Sequence, residues 1–169
     1  MKTAKRLLAL ALAGVMALAL LTGCSDSSSK AKQVEECFRS LMKTRQNVDY
    51  QKDETLDKKL EVIAQQFQPD WLDDRNGGLT EDARNIIINE LSDYVIAGGV
   101  TPWVGEVEPG QSALAQAESI KQCRALKYDT SYGSQPLRAI AFTMTGKKSD
   151  GHRYYLALET KATVKTPRT

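Results

Sequence analysis

The chain has 169 residues, with 23 basic and 21 acidic side chains, three cysteines and one histidine. That length supports one domain with a core of its own, and a net charge of +2 supplies no global field for nucleic acid. A single histidine leaves little scope for a His-based triad or a His/Cys zinc site, since both need several groups brought together.

The only charges before Asp26 are Lys2, Lys5 and Arg6, and an unbroken apolar run over residues 7–21 follows them. A basic head before a short apolar stretch is the layout of a secretory signal, and the basic residues resist translocation. The run falls short of the ~20 residues that cross a bilayer comfortably. It closes on Leu21-Thr22-Gly23-Cys24. This resembles the bacterial lipobox, an aliphatic residue and two small ones before a cysteine. The resemblance implies that the Cys24 sulfur takes a diacylglyceryl group and that residues 1–23 are removed as a signal peptide. Membrane lipid is then a partner through Cys24, and the chain sits on the extracytoplasmic face of the cell membrane. Two acyl chains, at ~0.8 kcal/mol per buried CH₂, anchor durably. Residues 24–32 are polar and Ser-rich and read as a flexible tether, leaving residues 33–169 as a single domain. Without the signal the chain carries 20 bases against 21 acids.

Val34, Cys37, Phe38, Leu41, Met42 and Val48 recur at helical spacing and predict an amphipathic helix over 31–48. Leu56, Leu60, Ile63, Ala64 and Phe67 predict a second over 55–68, stopped by Pro69. Residues 70–78 are turn-rich. Thr80 is a good N-cap, with Glu81 and Asp82 in the first turn where acids suit the helix dipole. Ala83, Ile87, Leu91, Tyr94 and Val95 then line a third helix that Gly98-Gly99 would end. Residues 100–111 hold Pro102, Gly105, Pro109 and Gly110 and read as a loop or short edge strand. Residues 112–128 read as a short helical turn and then a strand. In 137–145, Ile140, Phe142 and Met144 share a face; in 153–164, Tyr154, Leu156 and Leu158 do. Together they predict a hairpin around 146–151 with one apolar face packed on the helices.

Helices followed by a curved antiparallel sheet give an α+β class. Over residues 31–164 this order resembles the nuclear-transport-factor-2-like (cystatin-like) superfamily. The resemblance implies a cone: three N-terminal helices packed on a curved antiparallel sheet, with a pocket between them. Tyr94, Trp103, Tyr154 and Tyr155 are the aromatics expected to line it, against the plainer reading of core and rim packing.

Cys37 and Cys123 remain after lipidation of Cys24. Outside the cytoplasm they either pair, which would stabilise by roughly 4 kcal/mol in the chain-entropy model, or stay as two buried thiols. His152, next to Gly151, reads as an exposed turn residue. Asp70, Asp73, Asp74 and Asn76 fail as a calcium loop. With Gly77 or Gly78 in the sixth position the twelfth is Ala83 or Arg84, neither of which ligates calcium. An acidic helix-capping loop is expected instead, and no metal or cofactor is assigned. Lys147, Lys148, Arg153, Lys161, Lys165 and Arg168 make residues 146–169 basic, either as an edge touching anionic headgroups or wall polymers or as solvated faces. The functional expectation is a membrane-anchored, extracytoplasmic, non-enzymatic binding or envelope-assembly module. A protein partner is expected ahead of a small ligand. The alternative is a small hydrolase or isomerase with an Asp/Glu/Tyr pocket.

Overall fold

In the computed structural model, residues 27–73, 78–128 and 135–164 are described. The signal segment, Cys24, the start of the expected tether, Asp74, Asn76, Lys165 and Arg168 lie outside them. The elements run α1 (Ser27–Gln46), α2 (Glu54–Gln66), a 3₁₀ turn (Pro69–Trp71), α3 (Glu81–Leu91), β1 (Val95–Glu106), α4 (Ala113–Ser119), β2 (Lys121–Gln122), β3 (Leu126–Tyr128), β4 (Gln135–Met144) and β5 (Tyr154–Val164). This is the expected α+β class, built on an antiparallel sheet that stays open.

Local chemistry sets the helix starts. Asp53 accepts from the Leu56 N–H at 2.8 Å, Thr80 from Ala83 at 3.4 Å and Ser112 from Ala115 at 3.2 Å. Each such bond satisfies one of the donors that a helix start leaves without a partner. Helix α1 begins earlier than expected, so residues 27–32, read as tether, are helical. Ala31 and Val34 dock on the sheet core, and extending a nucleated helix by another turn costs little.

Gly98-Gly99 does not end α3. That helix stops at Leu91, and the diglycine lies inside β1, opposite Tyr128 and Lys127. Residues 100–106, expected as loop or edge, are the centre of the sheet, with β5 on one side and β2 and β3 on the other. Pro102 fits there for a geometric reason. Its carbonyl accepts the Cys123 N–H at 2.8 Å, and the N and C=O of a strand residue point to the same edge. The missing donor therefore faces the interrupted β2/β3 side, and the ladder to β5 loses nothing.

The β4–β5 hairpin is present, but it has two apolar faces rather than one. Ile140 opposes Glu159, Phe142 opposes Ala157 and Met144 opposes Tyr155. Directly opposed residues share a face, so Tyr154, Leu156 and Leu158 lie on the other. That second face, with Val100, Val104, Ala139 and Ala141, packs under Leu56, Leu60, Ile63 and Phe67 of α2 and Ala83, Ile87 and Leu91 of α3. The first, with Trp103, Ile140, Tyr155 and Ala157, packs under Val34, Phe38 and Met42 of α1 and Ala117 of α4. Residues 154–160 are all buried, as expected for a strand covered on both sides. Each large side chain so buried contributes about 1.5–3 kcal/mol.

Candidate functional site

The four aromatics expected to share a pocket do not meet. Tyr94 and Tyr154 belong to the core under α2 and α3, while Trp103 and Tyr155 belong to the core under α1 and α4. Trp103 meets Phe38 edge-on at 5.6 Å, Tyr155 meets Phe142 at 5.6 Å and Tyr154 meets Phe67 at 5.1 Å. Between sheet and helices there is a cavity of about 20 Å³, lined by Leu60, Ile63, Phe67, Ile87, Leu156 and, of the four expected aromatics, Trp103. That is room for about one water, so the expected interior pocket is filled.

The larger space is an open cleft of about 520 Å³ beside β2, lined by Leu72, Gly78, Val104, Gly105, Glu106, Glu108, Ser119, Lys121, Gln122, Cys123 and Tyr154. Two glycines shape it. A Cβ on Gly105 would stand 2.9 Å from Ile120 Cγ1 and 3.0 Å from Ile120 Cα, so only glycine lets the chain cross β1 this closely before entering β2. Gly78 has φ +116° and would place a Cβ 2.8 Å from Cys123 Sγ. Gln116 is fully buried and fixes the loop from β1 to α4, accepting from Glu108 N–H at 2.7 Å and donating to Glu106 O at 2.9 Å.

A polar network crosses the lip of this cleft. The Tyr154 hydroxyl donates to Asp150 Oδ2 at 2.5 Å, and Asp150 Oδ1 accepts the His152 N–H at 2.9 Å. Burial, and then the Asp150 hydrogen bond and charge, push Tyr154 up to about 12. The Tyr154 hydrogen bond, and then the one from the His152 backbone, hold Asp150 below the usual carboxylate range. His152 Nδ1 pairs with Glu106 Oε1, with the histidine side chain 53% exposed. His152 is therefore exposed, as expected, but not isolated. Sequence reasoning missed Glu106 because it sits on a segment read as loop; the register of Glu106 against Tyr154 brings the two regions together.

A second buried polar pair lies under the end of α1. Glu159 is 1% exposed in the middle of β5. It accepts the Tyr50 hydroxyl at 2.7 Å and meets Lys161 Nζ at 3.3 Å. Burial first, and then this hydrogen bond, raise Tyr50 far above its ordinary range.

Cys37 and Cys123 are free thiols packed on opposite faces of the sheet, so the candidate bridge is not formed. Burial raises Cys123 to about 11, which keeps it a neutral thiol rather than a nucleophile. The C-terminal bases among the described residues do not form one edge, since Lys147, Lys148 and Arg153 surround the hairpin turn and Lys161 lies seven residues along β5 from Tyr154. Among the described residues no group of three or more His, Cys, Asp or Glu side chains is placed to hold a metal ion, and no helix is long and apolar enough to cross a membrane. No family model, curated protein sequence or solved structure matches the chain.

Proposed function

We propose that this chain is a lipoprotein held on the extracytoplasmic face of the cell membrane through Cys24, and that its α+β domain binds a protein partner in the cleft beside β2. The anchor rests on Leu21-Thr22-Gly23-Cys24 behind the apolar run. The binding role rests on one observation: an open cleft of about 520 Å³ that both apolar and charged residues line. Its lining includes buried Val104 and the exposed side chains Leu72, Glu108 and Lys121. A lining that mixes apolar and charged side chains suits a protein segment. The likeness to the cystatin-like cone belongs to this reading through its element order, helices before an antiparallel sheet.

Two experiments test the reading. Cys24→Ala should move the protein out of carbonate-washed membranes; retention there removes the anchor. A photo-cross-linking residue in place of Lys121, in the full chain in its own membrane, should give one discrete adduct that the same probe at the exposed Val62 of α2 does not. Identical patterns from both positions would sink the cleft as a binding site.

One arrangement favours the alternative of a small hydrolase or isomerase. The Glu106 carboxylate holds the His152 imidazole by Nδ1, which is how a general base is oriented. Turnover of p-nitrophenyl esters that disappears in His152→Ala would support it, and turnover unchanged by that substitution would exclude His152 as its base.

A further inference from the structure

One row of side chains across the sheet holds three bases and no acid. Gly99 opposes Lys127 of β3, and Lys161 of β5 opposes Arg138 of β4. Between β1 and β5, Ala97 opposes Thr163 and Val100 opposes Thr160, which sets Gly99 level with Lys161. Opposed residues share a face, so Lys127, Gly99, Lys161 and Arg138 cross the neighbouring strands β3, β1, β5 and β4 on one face. It is the face under α1, because Trp103, Ala157 and Ile140 lie on it an even number of residues from Gly99, Lys161 and Arg138. The row stands at the end of the sheet away from the hairpin turn and from the cleft.

Lys127, Lys161 and Arg138 are exposed. Among the described residues no ion pair or hydrogen bond engages the Lys127 and Arg138 side chains. The acid recorded against the row is the buried Glu159, which takes the Tyr50 hydroxyl at 2.7 Å and Lys161 Nζ at 3.3 Å and so offsets one base. Gln46 Oε1 also accepts from Lys161, at 3.3 Å. An ammonium has three donors, so one remains at Lys161. Helix α1 adds the exposed Arg45, three residues past Met42 on the stripe that faces the sheet. Lys43 in the same turn is already paired with Asp49 at 2.6 Å. Asp129, two residues past Lys127, lies outside the described residues.

We propose that this row binds an extended acidic segment of a partner protein, laid across the strands with carboxylates at alternate positions. The proposal goes beyond the cleft and does not depend on the anchor. Charge fixes the sign of the occupant, and width fixes its form. From β3 to β4 is three strand spacings, about 14 Å. Side chains i and i+4 of an extended segment stand on one face about 13 Å apart. Acids at i, i+2 and i+4 therefore match the row from end to end. The outer two meet Lys127 and Arg138, whose planar fork takes a carboxylate through two N–H bonds. The middle one reaches the remaining donor of Lys161 over Gly99, where no side chain stands in the way. A single phosphate or sulfate group is too small to touch both ends.

The test titrates the isotope-labelled full chain, in a zwitterionic detergent, with the acetylated peptide Glu-Ser-Glu-Ser-Glu and reads amide chemical shifts. Low salt is used, where exposed charges are least screened. Glu-Glu-Glu-Ser-Ser, of the same charge, and a linear polyphosphate of matched charge are the comparisons. The amides of Gly99, Lys127, Arg138 and Lys161 should move, and those lining the cleft should not. The peptide with contiguous acids should bind at least about threefold more weakly, since it cannot span the row. Lys127→Gln with Arg138→Gln should weaken binding at least about fivefold through the loss of two exposed ion pairs. Lys147→Gln, at the hairpin turn, should leave it unchanged. Still amides along the row, equal binding of the two peptides, or an affinity that the double variant keeps would overturn the proposal. So would tighter binding of the polyphosphate, since the occupant would then be a phosphate polymer.

Discussion

Tyr50→Phe isolates one hydrogen bond without opening a cavity. The hydroxyl donates at 2.7 Å to Glu159, which is 1% exposed, and among the described residues that carboxylate's other partner is Lys161 at 3.3 Å. A hydrogen bond to a charged group contributes about 1.5–3 kcal/mol. Because Lys161 still compensates the buried charge, the lower part of that range applies, about 2 kcal/mol. For a domain of this size that corresponds to a fall of roughly 6–8 °C in melting temperature. Thermal unfolding of wild type, Tyr50→Phe, Glu159→Gln and the double variant by circular dichroism closes a double-mutant cycle. A Tyr50→Phe loss below about 0.5 kcal/mol, or a coupling energy near zero, would refute the claim that this bond is what makes the buried carboxylate tolerable.

Gly105→Ala should destabilise by about 1–3 kcal/mol, since the added methyl lands 3.0 Å from Ile120 Cα, a main-chain atom that cannot swing aside; urea denaturation measures it, and a neutral result would mean that β2 is free to lift from β1. Alkali should destabilise through Tyr154. Its folded value is about 12 against an ordinary 10.0, so the folded state holds the proton more tightly. The Tyr154 contribution is then flat below about pH 10 and is lost as pH rises toward 12, a slope that Tyr154→Phe should reduce in pH-dependent melts; the raised Cys123 thiol adds its own loss from about pH 9. Thiol titration should find Cys37, which is half-exposed, reacting before Cys123, with the second reaction tracking unfolding; a mass shift on reduction of the intact protein would contradict free thiols.

Short-range chemistry was legible in the sequence. Thr80 caps α3, Pro69 follows the end of α2, and the alternation in 137–145 and 153–164 marks the hairpin. Long-range pairing was not. Pro102, Gly98, Gly99 and Gly105 argue locally against a strand, and only β5 on one side and the broken β2/β3 edge on the other explain why they sit in one. The two-faced core was concealed for a related reason. Alternation tells which residues of one strand share a face, while the register between strands, here Met144 opposite Tyr155, decides whether two apolar rows coincide. The Glu106–His152 pair depends on that same register and could not precede it.

Helix α1 fixes an orientation as well as a face of the core. Its 20 residues span about 30 Å at 1.5 Å per residue. Phe38 lies against Phe142, and Gln46 accepts from Lys161, which opposes Arg138, so the helix runs antiparallel to β4 and starts at the hairpin-turn end. Two residues separate Ser27 from the proposed anchor at Cys24. If Cys24 carries the lipid, as proposed, so short a join would keep the domain close to the headgroups. On that proposal the hairpin-turn end of the sheet would face the bilayer, and the end of β4 that Gln51 bridges would face away from it.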